Sequence, residues 1–147
     1  MPAVTAPEIS QADLKGAGAV LVVDDEEMVR RAAVVALEHC GYTVITASNG
    51  KIATDLFKRF SGRIVLVILD LSMPVMNGEE CLRALKNIEP DVPVILSSGF
   101  SESDTIQRFR EHTFSGFLQK PYTAGRLAEM AKVALSSVPR KASQTSA

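Results

Sequence analysis

Carboxylates, a hydroxyl and an ammonium group follow four short apolar segments of this chain, each at or just beyond the end of its segment. They belong to Asp24 and Asp25, Asp70, Ser98 and Lys120. If these segment ends meet in space, the groups can carry out phosphoryl transfer. A carboxylate can attack phosphorus to form an acyl phosphate, while a fixed cation and a hydroxyl stabilise the phosphoryl oxygens. Asp70 is then the candidate nucleophile, with Ser98 and Lys120 as the stabilising groups.

Several carboxylates at one place also favour a bound metal ion. Unpaired carboxylates that pack together repel each other, which raises their pKa values or destabilises the fold. A hard divalent cation removes this conflict, and Mg²⁺ typically uses one or two carboxylates together with water and phosphate oxygens. The sequence therefore predicts a Mg²⁺ site beside Asp70. Glu26 and Glu27, which follow the acid pair, are expected instead to favour a helix start through the helix dipole.

Each of these positions taken alone has an ordinary structural explanation. An acid or a serine after a strand is often a helix cap, and a Lys-Pro pair is usually a turn. What indicates chemistry is their joint occurrence at the ends of four apolar segments of one fold.

Short apolar segments alternate with helical patterns, and this alternation must bring the four positions together. The segments are β-branched or continuous, as is typical of strands covered on both faces. Five strands are predicted, at Ala19–Val23, Tyr42–Ala47, Ile64–Leu69, Val94–Ser97 and Gly116–Leu118. A helix after each strand gives an α/β fold with a doubly wound parallel sheet, whose ligands bind beyond the carboxyl ends of the strands.

The predicted helices have recognisable ends. Gly41 stops the first helix, and Pro90 ends the third because proline cannot continue a helix. Asn77 begins the third helix, and either Ser101 or Ser103 caps the fourth.

Composition limits the classes of protein to consider. The chain has 147 residues with 46% hydrophobic, which suits one domain, expected at 19–137 between flexible tails at 1–18 and 138–147. A net charge of −1 gives no general attraction to nucleic acid. Neither a signal peptide nor an apolar run of about 20 residues is found, so we expect a cytoplasmic protein without membrane insertion.

The cysteines and histidines receive no chemical role. Cys40 and Cys81 have neither metal-ligand nor disulfide spacing, and both are expected inside helices as small hydrophobic residues. His39 and His112 lie near predicted helix ends and are expected to be ordinary surface residues.

The residues around these positions resemble the receiver domain of two-component response regulators, from about Ala19 to Leu135. The resemblance rests on the stretches VLVVDDEEMVR, LVILDLSMPVMNGEE, PVILSSGF and GFLQKPY. It implies a flavodoxin-like five-stranded parallel sheet, with strand order 2-1-3-4-5 and five helices. It also implies that Asp70 is the phosphoacceptor.

The resemblance implies a metal-ligand set as well. Asp25 and Asp70 would contact Mg²⁺ (or Mn²⁺) directly, Asp24 would act through water, and the backbone carbonyl of Ser72 would be a further ligand.

Other roles implied by the resemblance concern switching and phosphoryl lifetime. Ser98 is the switch hydroxyl and Phe117 the aromatic residue that rotates with it, while Lys120 precedes a cis peptide bond to Pro121. Ser72 and Phe100 occupy the positions that tune water access to the phosphoryl group, and the apolar Phe100 predicts slow self-dephosphorylation.

The implied phosphoryl donor is a sensor histidine kinase or a histidine phosphotransfer protein, and the implied output is an unknown protein target, without direct nucleic-acid binding. A stand-alone regulator and the C-terminal receiver of a hybrid sensor kinase both remain open.

Three other classes of protein are alternatives. A phosphatase of the haloacid dehalogenase type needs a second Asp two residues after the nucleophile, where this chain has Ser72. A dinucleotide-binding domain needs its glycines after the first strand, whereas Gly16 and Gly18 precede it. A non-phosphorylated protein-interaction module would not need the complete set of reactive groups.

Overall fold

The computed structural model describes residues 18–72 and 77–137 as a parallel sheet with helices on both faces. The strands are β1 (Ala19–Val23), β2 (Thr43–Ala47), β3 (Ile64–Asp70), β4 (Val94–Ser98) and β5 (Gly116–Gln119). The helices are α1 (Glu27–His39), α2 (Gly50–Arg59), α3 (Gly78–Ile88), α4 (Glu102–Arg108) and α5 (Ala124–Ser137). The strand order is β2-β1-β3-β4-β5, so the predicted fold and strand order are confirmed.

The two apolar layers explain why the strands lack an alternating pattern. Leu21, Leu69 and Leu96 pack on one face, with residues of α2 and α3. Val22 and Ile68 pack on the other, with residues of α1 and α5. Because both faces are covered, both sets of side chains must be apolar.

Three strands extend one residue further than predicted, and this places reactive residues inside the sheet. Asp70 ends β3, Ser98 ends β4 and Gln119 ends β5. The extension follows from continued pairing, because the Leu71 amide donates to the Ser97 carbonyl at 3.0 Å. Strand β2 begins one residue later than predicted, at Thr43.

The predicted helix ends are observed. Asn77 forms a capping box with Glu80, whose backbone amide donates to the Asn77 side chain at 2.8 Å. Ser101, rather than Ser103, caps α4 by accepting from the Asp104 amide at 3.2 Å. Gly41, which follows the end of α1, has a φ of 95°, in the region that favours glycine.

The start of α3 lies against the residue that follows β3. A Cβ atom on Gly78 would lie 2.5 Å from Cα of Leu71, closer than real Cβ atoms come. Glycine is therefore required where α3 begins, and it allows the helix to start directly beside the end of β3.

One cysteine prediction and one histidine prediction are wrong. Cys81 is buried as predicted, and burial raises its pKa to about 12, but Cys40 is exposed because α1 ends one residue before it. His112 is not an ordinary surface residue. Its side chain is 16% exposed and its Nε2 lies 3.1 Å from Oε2 of Glu79, since the chain after α4 returns to the start of α3.

The predicted tails, 1–18 and 138–147, lie outside the described residues except for Gly18. Within the described ranges, the helices are too short or too polar to cross a membrane.

Candidate functional site

Three carboxylates meet at the carboxyl ends of β1 and β3, which are neighbouring strands. One oxygen each from Asp24, Asp25 and Asp70 lies within 4.8 Å of the others. Asp24 is 2% exposed and Asp70 is 1% exposed, whereas Asp25 is open to solvent. The predicted convergence of these acids is therefore present, and the cluster is reached from the Asp25 side.

Lys120, which follows the edge strand β5, contacts this cluster. Its Nζ lies 2.8 Å from Oδ2 of Asp24, 3.3 Å from Oδ2 of Asp70 and 3.2 Å from Oε1 of Glu26. An ammonium group has three hydrogen-bond donors, so these three carboxylates match its capacity. The Lys120 amide donates to the Ser98 carbonyl at 2.8 Å, and the Lys120–Pro121 bond is cis as predicted.

The surroundings of Asp70 shift its pKa in opposite directions. Burial and the charge of Asp24 raise it, while the Ser72 amide and Lys120 lower it, and the result is a pKa of about 6. For Lys120, burial alone would lower the pKa, but the hydrogen bond and charge of Asp24, with Asp70 and Glu26, raise it above its usual value. At neutral pH the cluster therefore holds an ionised Asp70 beside a charged Lys120.

Backbone contacts fix the two buried carboxylates. Oδ1 of Asp70 accepts from the Ser72 amide at 3.1 Å, and Oδ1 of Asp24 accepts from the Glu26 amide at 2.9 Å. Arg30, in α1, donates from Nη1 to the Asp24 carbonyl at 2.8 Å. Sequence reasoning missed Arg30, although its position one turn into the helix after the acid pair was a usable signal.

Glu26 lies at the start of α1 as expected, where it is the N-cap residue. Its side chain makes no capping bond, and it also contacts Lys120, which was not predicted. The two residues are 94 positions apart, so local sequence could not reveal the contact. Glu27 does lie in the first turn of α1 as expected, 3.6 Å from Arg31.

Ser98 lies beside the carboxylate cluster rather than within it. It is fully buried, and its Oγ accepts from the Phe100 amide at 2.9 Å, which leaves the hydroxyl hydrogen available to donate. Ser98 also lines a cavity of about 140 Å³ together with Ser72, Thr105 and Phe109. This cavity separates the end of β4 from α4.

The remaining predicted residues surround this cavity and the core. Phe100 lines the cavity and is 61% exposed, and Ser72 is also exposed. Phe117 is 6% exposed and belongs to the apolar layer that contains Leu96. Residues 73–76, which belong to the stretch LVILDLSMPVMNGEE, lie outside the described residues.

Comparison with known proteins gives a consistent result. A family model for the response regulator receiver domain matches residues 20–132. Sensor kinase CckA of Brucella abortus is 37% identical over 120 residues, which cover 82% of this chain and 13% of that protein. Autoinducer 1 sensor kinase/phosphatase LuxN of Vibrio harveyi is 34% identical over 111 residues, 74% of this chain and 12% of that protein. The chain thus spans a small part of these relatives.

Solved structures of similar length share the fold. A response regulator receiver domain protein from Clostridium thermocellum superposes with a TM-score of 0.74 at 30% identity, covering 81% of this chain and 94% of that one. Chemotaxis protein CheY4 of Vibrio cholerae gives a TM-score of 0.70 at 27% identity, covering 82% and 98%.

Proposed function

The chain belongs to the response regulator receiver domain family of two-component systems, and on this premise we propose that Asp70 accepts a phosphoryl group from a phosphohistidine. The observation that carries the proposal is the position of Asp70. It is buried at the end of β3, 3.3 Å from the Lys120 ammonium and within a cluster of three carboxylates. A buried acid held between a cation and further acids suits nucleophilic attack on phosphorus.

The reaction needs few groups. A carboxylate oxygen of Asp70 attacks the phosphorus, and the bond from phosphorus to the donor imidazole nitrogen breaks. The other ring nitrogen of the donor imidazole carries a proton, so the imidazole keeps the bonding electron pair and leaves neutral. Lys120 then neutralises charge on the transferred phosphoryl group, and the Ser98 hydroxyl donates to one of its oxygens.

The carboxylate cluster fits a hard divalent cation. Its oxygen donors are of the type that Mg²⁺ prefers, and its carboxylates outnumber the Lys120 ammonium. We assign Mg²⁺, or Mn²⁺ in its place, to Asp25 and Asp70, with Asp24 acting through water and the Ser72 carbonyl as a further ligand. When bound, the ion would neutralise charge on the phosphoryl oxygens.

Phosphorylation is proposed to change the face formed by α4, β5 and α5. Ser98 is drawn toward the phosphoryl group, which leaves room for Phe117 to move further inward. Because Phe117 is already largely buried, this movement is a shift within the core. Such switches typically couple two sites by about 1–3 kcal/mol.

The proposed setting follows from the family. The donor is a sensor histidine kinase or a histidine phosphotransfer protein in the cytoplasm, and the output is a protein contact rather than nucleic acid or membrane. The receiver unit is placed at 19–137. Phe100 and Ser72 would limit water access to the phosphoryl group.

The test is covalent labelling by acetyl phosphate with Mg²⁺. Wild type is expected to gain one hydroxylamine-labile phosphoryl group, and Asp70→Asn none. Asp55→Asn is the matched control, since Asp55 is an exposed acid in α2 paired with Lys51. Labelling of Asp70→Asn, or none in wild type, would overturn the proposal.

Two further measurements address the alternatives. Repeated hydrolysis of a phosphate monoester would favour a phosphatase of the haloacid dehalogenase type, but Ser72 offers no acid or base for it. If the wild type binds a kinase but takes up no phosphoryl group from acetyl phosphate, a non-phosphorylated interaction module is favoured. For the switch, amide spectra of the α4-β5-α5 face should change with beryllofluoride, and near-identical spectra would count against it.

A further inference from the structure

The contact between Glu26 and Lys120 has no part in the proposed reaction, although it uses the cation on which that reaction depends. Oε1 of Glu26 lies 3.2 Å from Nζ of Lys120, and the Glu26 side chain is 62% exposed. We propose that Glu26 is a positioning residue that competes with the phosphoryl group for Lys120. This inference rests on the proposed function of Asp70.

The competition follows from the donor capacity of Lys120. Its three donors face Asp24, Glu26 and Asp70. A phosphoryl group on Asp70 presents new charged oxygens, so the ammonium must leave at least one of its present acceptors to reach them. The free energy needed to break the weakest of these contacts then affects how readily the phosphorylated state forms.

Of the two acceptors that phosphorylation of Asp70 leaves chemically unchanged, Asp24 and Glu26, the second is the more easily released. Asp24 is buried and its carboxylate is held by the Glu26 amide at 2.9 Å, so leaving it would strand a buried charge. Glu26 lies outside the three-carboxylate cluster, and its exposed side chain can return to water. Glu26 and Lys120 also line a surface groove of about 420 Å³, so solvent reaches the contact.

Glu26 therefore occupies one donor of Lys120, beside the phosphoryl position, until phosphorylation occurs. Since the Glu26 side chain makes no capping bond with α1, replacing its carboxylate removes no hydrogen bond from the helix start. Removing the contact should favour the phosphorylated state. Exposed ion pairs change equilibria by only about two- to fivefold, so we expect an effect of that size.

The experiment compares the 147-residue wild-type chain with three variants, Glu26→Gln, Glu26→Asp and Glu27→Gln. The first readout is the dissociation constant for beryllofluoride with saturating Mg²⁺, measured by titration calorimetry, and the second is the labelling rate with acetyl phosphate. Glu26→Gln should bind beryllofluoride about two- to fivefold more tightly and label faster by a similar factor. Glu26→Asp should shift in the same direction, because its shorter side chain keeps the charge but loses the reach.

Glu27→Gln is the control for charge. Glu27 is the next residue, carries the same charge and pairs with Arg31 rather than with Lys120. It should match wild type in both readouts. Equal shifts in Glu26→Gln and Glu27→Gln would overturn the inference, since they would indicate a general charge effect.

Three other results would also overturn it. A Glu26→Asp variant that matches wild type while Glu26→Gln shifts would show that charge matters rather than contact. Both Glu26 variants matching wild type would show that no competition exists. Weaker Mg²⁺ binding by Glu26→Gln would make Glu26 a metal ligand. An unlabelled wild type, in contrast, would overturn the proposed function itself and this inference with it.

Discussion

The two halves of the proposed site differ in how completely they are bonded. In the first half, which we call the charged half, Asp24, Asp70 and Lys120 are held by ion pairs of 2.8 and 3.3 Å and by backbone amides. The second, the α4 half, consists of Ser98, Phe100, Thr105 and the cavity of about 140 Å³ that they line. Helix α4 itself has seven residues, of which Thr105 is the buried one.

This difference suggests that the charged half responds to the new charge and that the α4 half undergoes the movement. A tightly bonded cluster responds strongly when one of its charges changes, because every partner loses or gains an interaction. A short helix over a cavity has few buried contacts to lose, so it is the part of the site that moves at least cost. We therefore expect mutations in the charged half to alter stability, and mutations in the α4 half to alter phosphoryl lifetime.

The largest effect is expected from Lys120→Ala. It leaves the buried Asp24 and Asp70 without their cation, so the free energy of unfolding without Mg²⁺ should fall by about 3–5 kcal/mol at pH 7. Saturating Mg²⁺ should restore much of this loss. Urea unfolding measures both. Lys51→Ala is the control, because its exposed pair with Asp55 should contribute at most about 0.5 kcal/mol, and equal stability of the two variants would break the comparison.

A smaller effect, of opposite sign, is expected from Asp70→Asn. The Asp70 pKa is raised from an ordinary 3.8 to about 6, so the folded state binds this proton more tightly than the unfolded chain does. The wild-type free energy of unfolding therefore loses this contribution as pH rises from about 4 to 6. Above pH 6 the penalty is complete, and Asp70→Asn should be more stable than wild type by up to about 3 kcal/mol.

Urea unfolding with a chelator at several pH values between 4 and 7.5 measures this difference. It should shrink toward pH 4, where Asp70 is protonated in the folded state and partly protonated in the unfolded chain. Asp55→Asn, at an exposed position, should show no such trend. A constant difference at all pH values would contradict the assignment of the effect to the Asp70 carboxyl group.

The smallest effect belongs to the α4 half. Phe100→Glu should speed self-dephosphorylation by about fivefold, or roughly 1 kcal/mol in the barrier, because a carboxylate replaces an apolar ring and can orient a water. Decay of the labelled protein measures it, and stability should not change. Ile106→Glu is the control, since Ile106 is an exposed apolar residue of α4. An unchanged decay rate for Phe100→Glu would refute the role of Phe100.

The fold and the charged half were predictable because topology determines them. Continuous apolar strands that alternate with helices bring the carboxyl ends of all strands to one rim, and Asp70 and Lys120 follow from that. The contacts of Glu26 and His112 were not predictable, since each joins residues far apart in the chain through the reach of a side chain. The cavity beside Ser98 depends on how α4 packs, which periodicity does not specify.

The close approach of Gly78 to Leu71 has a mechanical consequence. With no room for a Cβ between them, α3 begins in direct contact with the chain that leaves β3. The start of α3 and the end of β3 therefore move together, and α3 limits movement of the backbone next to Asp70. The atomic displacements that follow phosphoryl transfer must then occur toward α4, where the cavity beside Ser98 provides free volume.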